Sequence, residues 1–247
     1  MKLPLKVTVF IVVLAAMLAT TFSGSVLAGS TTKSLSTNYT LVNLGPEDAS
    51  VQVSYMKSDG NPWIADAANT NFTIPKNFGS NQVRQYFDNT LTTGQGSVVV
   101  SSSQPLGAIV QIQARNQTST QGAYTGYTEG SNKFYVPLVA RYRTTASGVG
   151  NSQIVIQNVD KIDFAVDVAL YEDGKTAPTY TKTTTILKAG QSYYYDLADE
   201  SGTNVPNEWI GSAVVKGQND GKVAVVSNFF TGSDGMQSFN AFPAENV

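Results

Sequence analysis

The sequence predicts an all-β protein, built as two Greek-key β-sandwiches in tandem behind a signal peptide. Three observations carry that prediction. Apolar residues alternate with polar ones at period two, and no segment of useful length holds a helical period. Turn dipeptides punctuate the runs at Asp59-Gly60, Gln104-Pro105, Asp173-Gly174 and Asp220-Gly221. The chain also repeats itself after about 115 residues, where GSVVVSSSQPLGAIVQIQ from Gly96 returns as GSAVVKGQNDGKVAVVSNFF from Gly211.

Residues 1–28, MKLPLKVTVFIVVLAAMLATTFSGSVLA, set Lys2 and Lys6 ahead of an apolar run from Val7 to Ala19. That run is about a dozen residues, short of the roughly 20 that cross a bilayer, and Val26 and Ala28 offer the small side chains a signal peptidase accepts. The segment is therefore expected to be a signal peptide, cleaved between Ala28 and Gly29, with an uncleaved signal anchor as its rival. Its removal takes two of the 16 basic side chains and none of the 18 acidic ones, leaving a formal charge of −4. The only concentration of basic residues, Lys133, Arg141 and Arg143, is too small for a nucleic-acid face, which is set aside. The tail AFPAENV has neither an apolar anchor nor a lipidation cysteine, so no membrane association is expected after cleavage.

The chain has no cysteine and no histidine. An exported protein without disulfides must hold together by burial, which two domains of about 110 residues can manage. The same absence removes thiol nucleophiles, imidazole bases and the usual zinc sites, so no cofactor and no metal are expected. Charged residues make up 14% of the chain, whereas Ser, Thr, Asn and Gln make up about a third. Its surface should be one of hydroxyls and amides.

In the first copy, strands are expected near residues 38–44, 49–57, 69–74, 81–88, 96–103, 107–115 and 122–128. Val51, Val53 and Tyr55 alternate with Gln52, Ser54 and Met56; Ala108, Val110 and Ile112 oppose Gln111 and Gln113. The second copy answers with Val166, Val168 and Leu170 against Asp167, Ala169 and Tyr171, while Ile154 and Ile156 match Tyr39 and Leu41. NLGPEDASVQVSYMKSDG from Asn43 corresponds to NVDKIDFAVDVALYEDG from Asn158, and IPKNFGS from Ile74 to ILKAGQS from Ile186. Seven short strands per copy, spaced by 8–12 residues, favour a sandwich. The expected domains are residues 29–130 and 131–247, with the boundary in the polar stretch from Thr128 to Asn132.

The strand ending in Gln157-Asn158, the Asp-Gly turn after the next strand, the Gly-Ser-Ala-Val-Val run and the preceding YVPLV segment from Tyr135 resemble the tandem immunoglobulin-like repeats of exported bacterial cell-surface proteins. An antibody-type domain is excluded, because its Cys, Trp, Cys signature is missing. The resemblance implies fold, export and a non-enzymatic life at the cell surface. It transfers no catalytic or binding residue, because the shared motifs are packing motifs.

Candidate ligand contacts are aromatic. Trp63 and Trp209 both lie beside loops, and burying either ring is worth on the order of 4–6 kcal/mol, which favours packing, more so for Trp209 than for Trp63. Tyr193, Tyr194 and Tyr195 share one strand, so Tyr193 and Tyr195 face one way with Leu197 while Tyr194 faces the other. Asp196, Asp199, Glu200 and Asn204 are oxygen donors without calcium-loop spacing, and Asp160 and Asp163 likewise fit a solvated loop. No serine stands in a nucleophile motif, and no carboxylate pair has a predictable separation, so no catalytic residue is assigned. Asn38, Asn71 and Asn116 head Asn-x-Thr triplets, glycosylated only if the source organism modifies exported proteins.

The leading expectation is thus an exported, non-enzymatic structural or adhesive cell-envelope protein whose partners are other surface proteins or itself. The hydroxyl-rich arm from Gly29 to Ser36 is a candidate strand for a neighbour's sheet edge. A carbohydrate-binding module using exposed Trp63 and tyrosines is the alternative, with polysaccharide as partner. A hydrolase using carboxylates alone is a minor one.

Overall fold

Alternating sequence lays down strands almost everywhere in the protein, whose computed structural model describes residues 8–12, 35–92, 94–114, 121–198, 205–232 and 235–244. The first strands are β1 (Thr8–Val12), β2 (Leu35–Asn43), β3 (Ala49–Lys57), β4 (Asn71–Ile74), β5 (Ser80–Arg84), β6 (Gly96–Ser102), β7 (Leu106–Ala114) and β8 (Gln121–Thr125). They form two antiparallel sheets, ordered β1-β6-β3-β4 and β5-β2-β7-β8. A four-residue helix, α1 (Ala67–Thr70), is capped by the Asp66 carboxylate.

The later strands are β9 (Lys133–Arg141), β10 (Arg143–Thr145), β11 (Gly148–Asn158), β12 (Val166–Glu172), β13 (Tyr180–Thr183), β14 (Ser192–Asp196), β15 (Trp209–Gly217), β16 (Val223–Thr231), β17 (Gly235–Asn240) and β18 (Phe242–Pro243). Their sheets run β13-β12-β15-β9-β18 and β10-β11-β16-β17, with β14 also on β11. Strand order recurs along the chain: β4-β3-β6 matches β13-β12-β15, and β5-β2-β7-β8 matches β14-β11-β16-β17. The stretch from Thr128 to Asn132 lies between the two sets.

Equivalent positions hold equivalent bonds. Asn43 and Asn158 end β2 and β11 and are fully buried. The Asn43 amide donates to the carbonyls of Glu47 (2.7 Å) and Ile74 (3.1 Å) while its oxygen accepts from Gly45 N (2.9 Å). Asn158 donates to Ile162 O (2.8 Å) and Leu187 O (3.0 Å) and accepts from Asp160 N (2.9 Å). The Asp-Gly turns are also alike, with Gly60 at φ 81° and Gly174 at φ 75°, a left-handed conformation that suits glycine.

Two features depart from the sequence reading. β1 falls inside the segment read as a signal peptide, yet it pairs antiparallel with β6 from Thr8↔Ser102 to Val12↔Val98. The cleavage site at Ala28 and Gly29 lies outside the described residues. The second departure is the β11 sheet, where Asn151–Asn158 and Val223–Phe230 are buried without interruption, so no alternation between core and solvent survives. Ile154, Ile156, Val223 and Val225 join the core shared with the β12 sheet. Val155, Ala224, Val226, Phe230 and Met236 face the other way and join the core of residues 35–124. The β11 sheet is therefore a middle layer, and both its faces need apolar side chains.

Polar bonds tie this middle layer to the first half. Thr125 N donates to Asn240 Oδ1 (3.0 Å), and Asn240 Nδ2 donates to Thr125 O (2.8 Å). Gln191 Nε2 reaches Ser58 O at 2.7 Å, Ser97 Oγ reaches Gly190 O at 2.6 Å, and Tyr127 Oη reaches Ala241 O at 3.0 Å.

Candidate functional site

Trp63, for which the sequence favours packing and which only the carbohydrate-binding alternative needs exposed, is 6% accessible. Its ring lies over Gly96, where an added Cβ would stand 2.8 Å from the indole, and its Nε1 donates to Thr92 Oγ1 at 3.1 Å. Trp209 is 3% accessible and covers Gly211 in the same way, with 2.9 Å to an added Cβ. The glycine that opens each Gly-Ser-x-Val-Val run therefore leaves room for an indole. One indole comes from the loop after β3 and the other from β15 itself, two residues before its glycine.

The tyrosine row alternates as expected, and all three rings pack. Tyr195 is buried in the second core with Tyr193 against it, whereas Tyr194 packs on the first core. Its hydroxyl donates to Gly96 O (2.6 Å) and accepts from Gly96 N (3.1 Å), and burial raises the phenol far above its ordinary pKa. Tyr194 is thus a brace between the β11 and β3 sheets.

Carboxylates named from the sequence serve as backbone acceptors. Asp196 accepts from Ala198 N at 2.9 Å, Asp160 from Lys161 N at 2.7 Å, and Asp163 from Ala189 N at 3.1 Å. Asp199, Glu200, Asn204 and Asn116 lie outside the described residues. Asn38 sits half-buried on β2, and Asn71 opens β4 exposed. Among the described residues, no group of three or more His, Cys, Asp or Glu is placed to hold a metal ion.

What the sequence reading missed is a hollow of about 230 Å³ beside Trp63, lined by Thr37, Gln85, Tyr86, Asp88 and Thr92 among others. A 3₁₀ turn over Gln85–Phe87 builds its rim. There Tyr86 and Phe87 are 43% and 67% accessible, with ring centroids 5.0 Å apart in edge contact. Gln85 Oε1 is buried without a hydrogen-bond partner. Alternation predicts a strand over 81–88, which hides this turn, and the adjacent pair Tyr86-Phe87 is the signal against it.

Asp88, 5% accessible, organises the hollow's floor. Its Oδ2 accepts from Asp66 N (2.9 Å) and Asn69 Nδ2 (2.7 Å); its Oδ1 accepts from Thr90 N (2.9 Å), Thr90 Oγ1 (2.6 Å) and Leu91 N (3.2 Å). Burial pushes the carboxyl's pKa up, but these donors outweigh it and hold the group below its ordinary value. A depressed pKa contributes stability above the unfolded value of about 3.9 and loses it as pH falls through the folded one. Asp88→Asn should therefore destabilise the protein at pH 7, with the deficit shrinking toward pH 3. Tryptophan fluorescence of urea unfolding in a Trp209→Phe background checks this, and a deficit independent of pH would refute it.

No family model matches the chain, and no curated protein matches it. Among solved structures, the Thermotoga maritima protein 1070 resembles it at 13% identity, with a TM-score of 0.38 over 47% of this chain and 97% of that one. The Anabaena sensory rhodopsin transducer does so at 19% identity, with a TM-score of 0.29 over 43% of this chain and 94% of that one. Likenesses this distant fix neither fold nor function.

Proposed function

We propose that the protein is an exported, non-enzymatic structural or adhesive component of the cell envelope, made of two immunoglobulin-like Greek-key sandwiches in tandem. The recurrence of strand order and the matched Asn43 and Asn158 support the tandem reading. The observation that carries the functional reading is the β11 sheet, buried on both faces and cross-braced by Tyr194, Asn240 and Gln191. Halves locked in this way form a stiff spacer, which suits a part that holds position rather than one that closes on a substrate. Its partners are other surface proteins or further copies of itself, met through sheet edges.

A second reading rests on the rim of the hollow, where Tyr86 and Phe87 present aromatic surface beside Thr37 and Asp88. Such a pair suits the apolar face of a sugar with hydroxyl partners beneath it. One experiment separates the two readings: cell fractionation combined with a polysaccharide pull-down, on the wild type and on Trp63→Ala and Tyr86→Ala/Phe87→Ala. The structural reading expects envelope or extracellular location with no polysaccharide retention in any form. Retention lost in the double variant while its circular dichroism is unchanged favours the sugar, and a cytoplasmic location would overturn both.

A further inference from the structure

Hydrogen bonds around β6 show which of its backbone groups face the sheet interior and which face the edge. Ser58 N donates to Gln95 O and Ser103 N to Ser50 O, so odd-numbered residues of this stretch turn toward β3. Even-numbered ones turn outward. Gly96 confirms the parity, because its N–H and C=O both meet the Tyr194 hydroxyl on that outer side. The remaining outward groups belong to Val98, Val100 and Ser102, which stand opposite Val12, Phe10 and Thr8 of β1.

In the later strands the same place beside β15 is held by β9, which is contiguous with its own half. There Val139, opposite Gly211, precedes Gly150 by 11 residues, and Gly150 is the counterpart of Leu35 by the Asn158 and Asn43 match. A chain that starts at Gly29 has six residues before Leu35, too few to follow that path back along β6. Loss of residues 1–28 therefore removes β1 and leaves three amides and three carbonyls of β6 open, flanked by the inward-facing Val98 and Val100.

We propose that this vacated edge pairs with β6 of a second copy, antiparallel about a twofold axis at Val100. In that register Val100 meets Val100, and Val98 meets Ser102 of the second copy in both directions, so all six open groups are bonded at once. Centring on Val99 instead would leave Ser102 unpaired, because Gly96 is already bonded to Tyr194. The chemistry of the faces also agrees: the inward Val98 and Val100 of the second copy continue the apolar lining, which the Ser- and Thr-rich arm from Gly29 would not. The outward Val99 then lies opposite Ser101 of the second copy. The pairing rests on the export reading, since it requires cleavage of the leader.

The test uses the full chain expressed in a secreting bacterial host, with the exported product examined by intact mass and by size-exclusion chromatography with light scattering. A product beginning at Gly29 that is dimeric is expected. Val99→Lys/Ser101→Lys places like charges opposite one another across the junction and should weaken the dimer at least about tenfold, as should Val99→Glu/Ser101→Glu. Mixing the two variants should restore it, which misfolding would not permit. A cleaved product that stays monomeric, a dimer indifferent to these charges, or open-ended polymers of the kind an exchanged arm would give, overturns the proposal while leaving export intact. An exported product that keeps its leader overturns the cleavage and with it the pairing, whereas a chain that stays in the cytoplasm overturns the export reading itself.

Discussion

Replacing Asn158 by alanine is expected to lower folding stability by about 3 kcal/mol, and Asn43→Ala by a similar amount. Each side chain is fully buried, and Asn158 serves three backbone groups while Asn43 serves four. Asn158 links the end of β11 to the carbonyl of Ile162 four residues on and to that of Leu187 across the fold. Truncation leaves the Ile162 carbonyl and the Asp160 amide without this partner, and the Leu187 carbonyl with only its bond from Phe164 N, at about 1–3 kcal/mol for each unsatisfied group without strict additivity. Aspartate would not rescue either site, because it loses every donated bond and sets a negative charge among carbonyls. For a chain of this size the loss corresponds to roughly 6–12 °C in Tm. Urea unfolding followed by circular dichroism measures it. Losses below about 1 kcal/mol at both positions would show that the matched asparagines are not what closes the two corners.

The asparagines also mark what was legible in the sequence. Their alignment was visible, because strand and turn patterns around them agree at a fixed spacing, and the seven strands expected in the first half coincide with β2 to β8 to within a few residues, except that β5 stops at Arg84, where the chain turns into the 3₁₀ rim. Their bonding was not visible, because Ile74 and Leu187 lie about 30 residues away in sequence and meet them only through the fold. The packing of Trp63 is favoured less firmly than that of Trp209 for a related reason: its sequence flank has few apolar residues, and the surface that buries it, at Gly94 and Gly96, comes from the start of β6 and the loop before it. The run VAVVSNFF in β16 did carry a signal that alternation arguments pass over. Four apolar residues in succession, Val223 to Val226, put apolar side chains on both faces of the strand, and the second face here packs against the other half of the chain.

That doubly buried strand gives the second large expectation. Val226→Asp should cost 4 kcal/mol or more at pH 7, in about equal measure from either of two routes. Held charged, the carboxylate sits without a partner against the first core; held neutral, it must take up a proton about three pH units above its solution pKa of about 3.9, which alone is about 4 kcal/mol. The folded-state pKa is therefore raised. A raised carboxyl penalises the fold most at high pH, and the penalty falls by about 1.4 kcal/mol per unit as pH drops toward 4, where the unfolded chain is protonated too. Gln113→Asp, on the exposed face of β7, should change stability by less than about 0.5 kcal/mol at any of these pH values. Urea unfolding at pH 7 and pH 4.5 distinguishes the cases. If Val226→Asp behaves like Gln113→Asp, then the outer face of the β11 sheet is wet, the halves are not locked together, and the stiff-spacer reading loses its support. If it destabilises residues 35–124 together with the later half in one cooperative transition, the two cores are a single mechanical unit, because the substituted residue belongs by sequence to one half and by packing to the other.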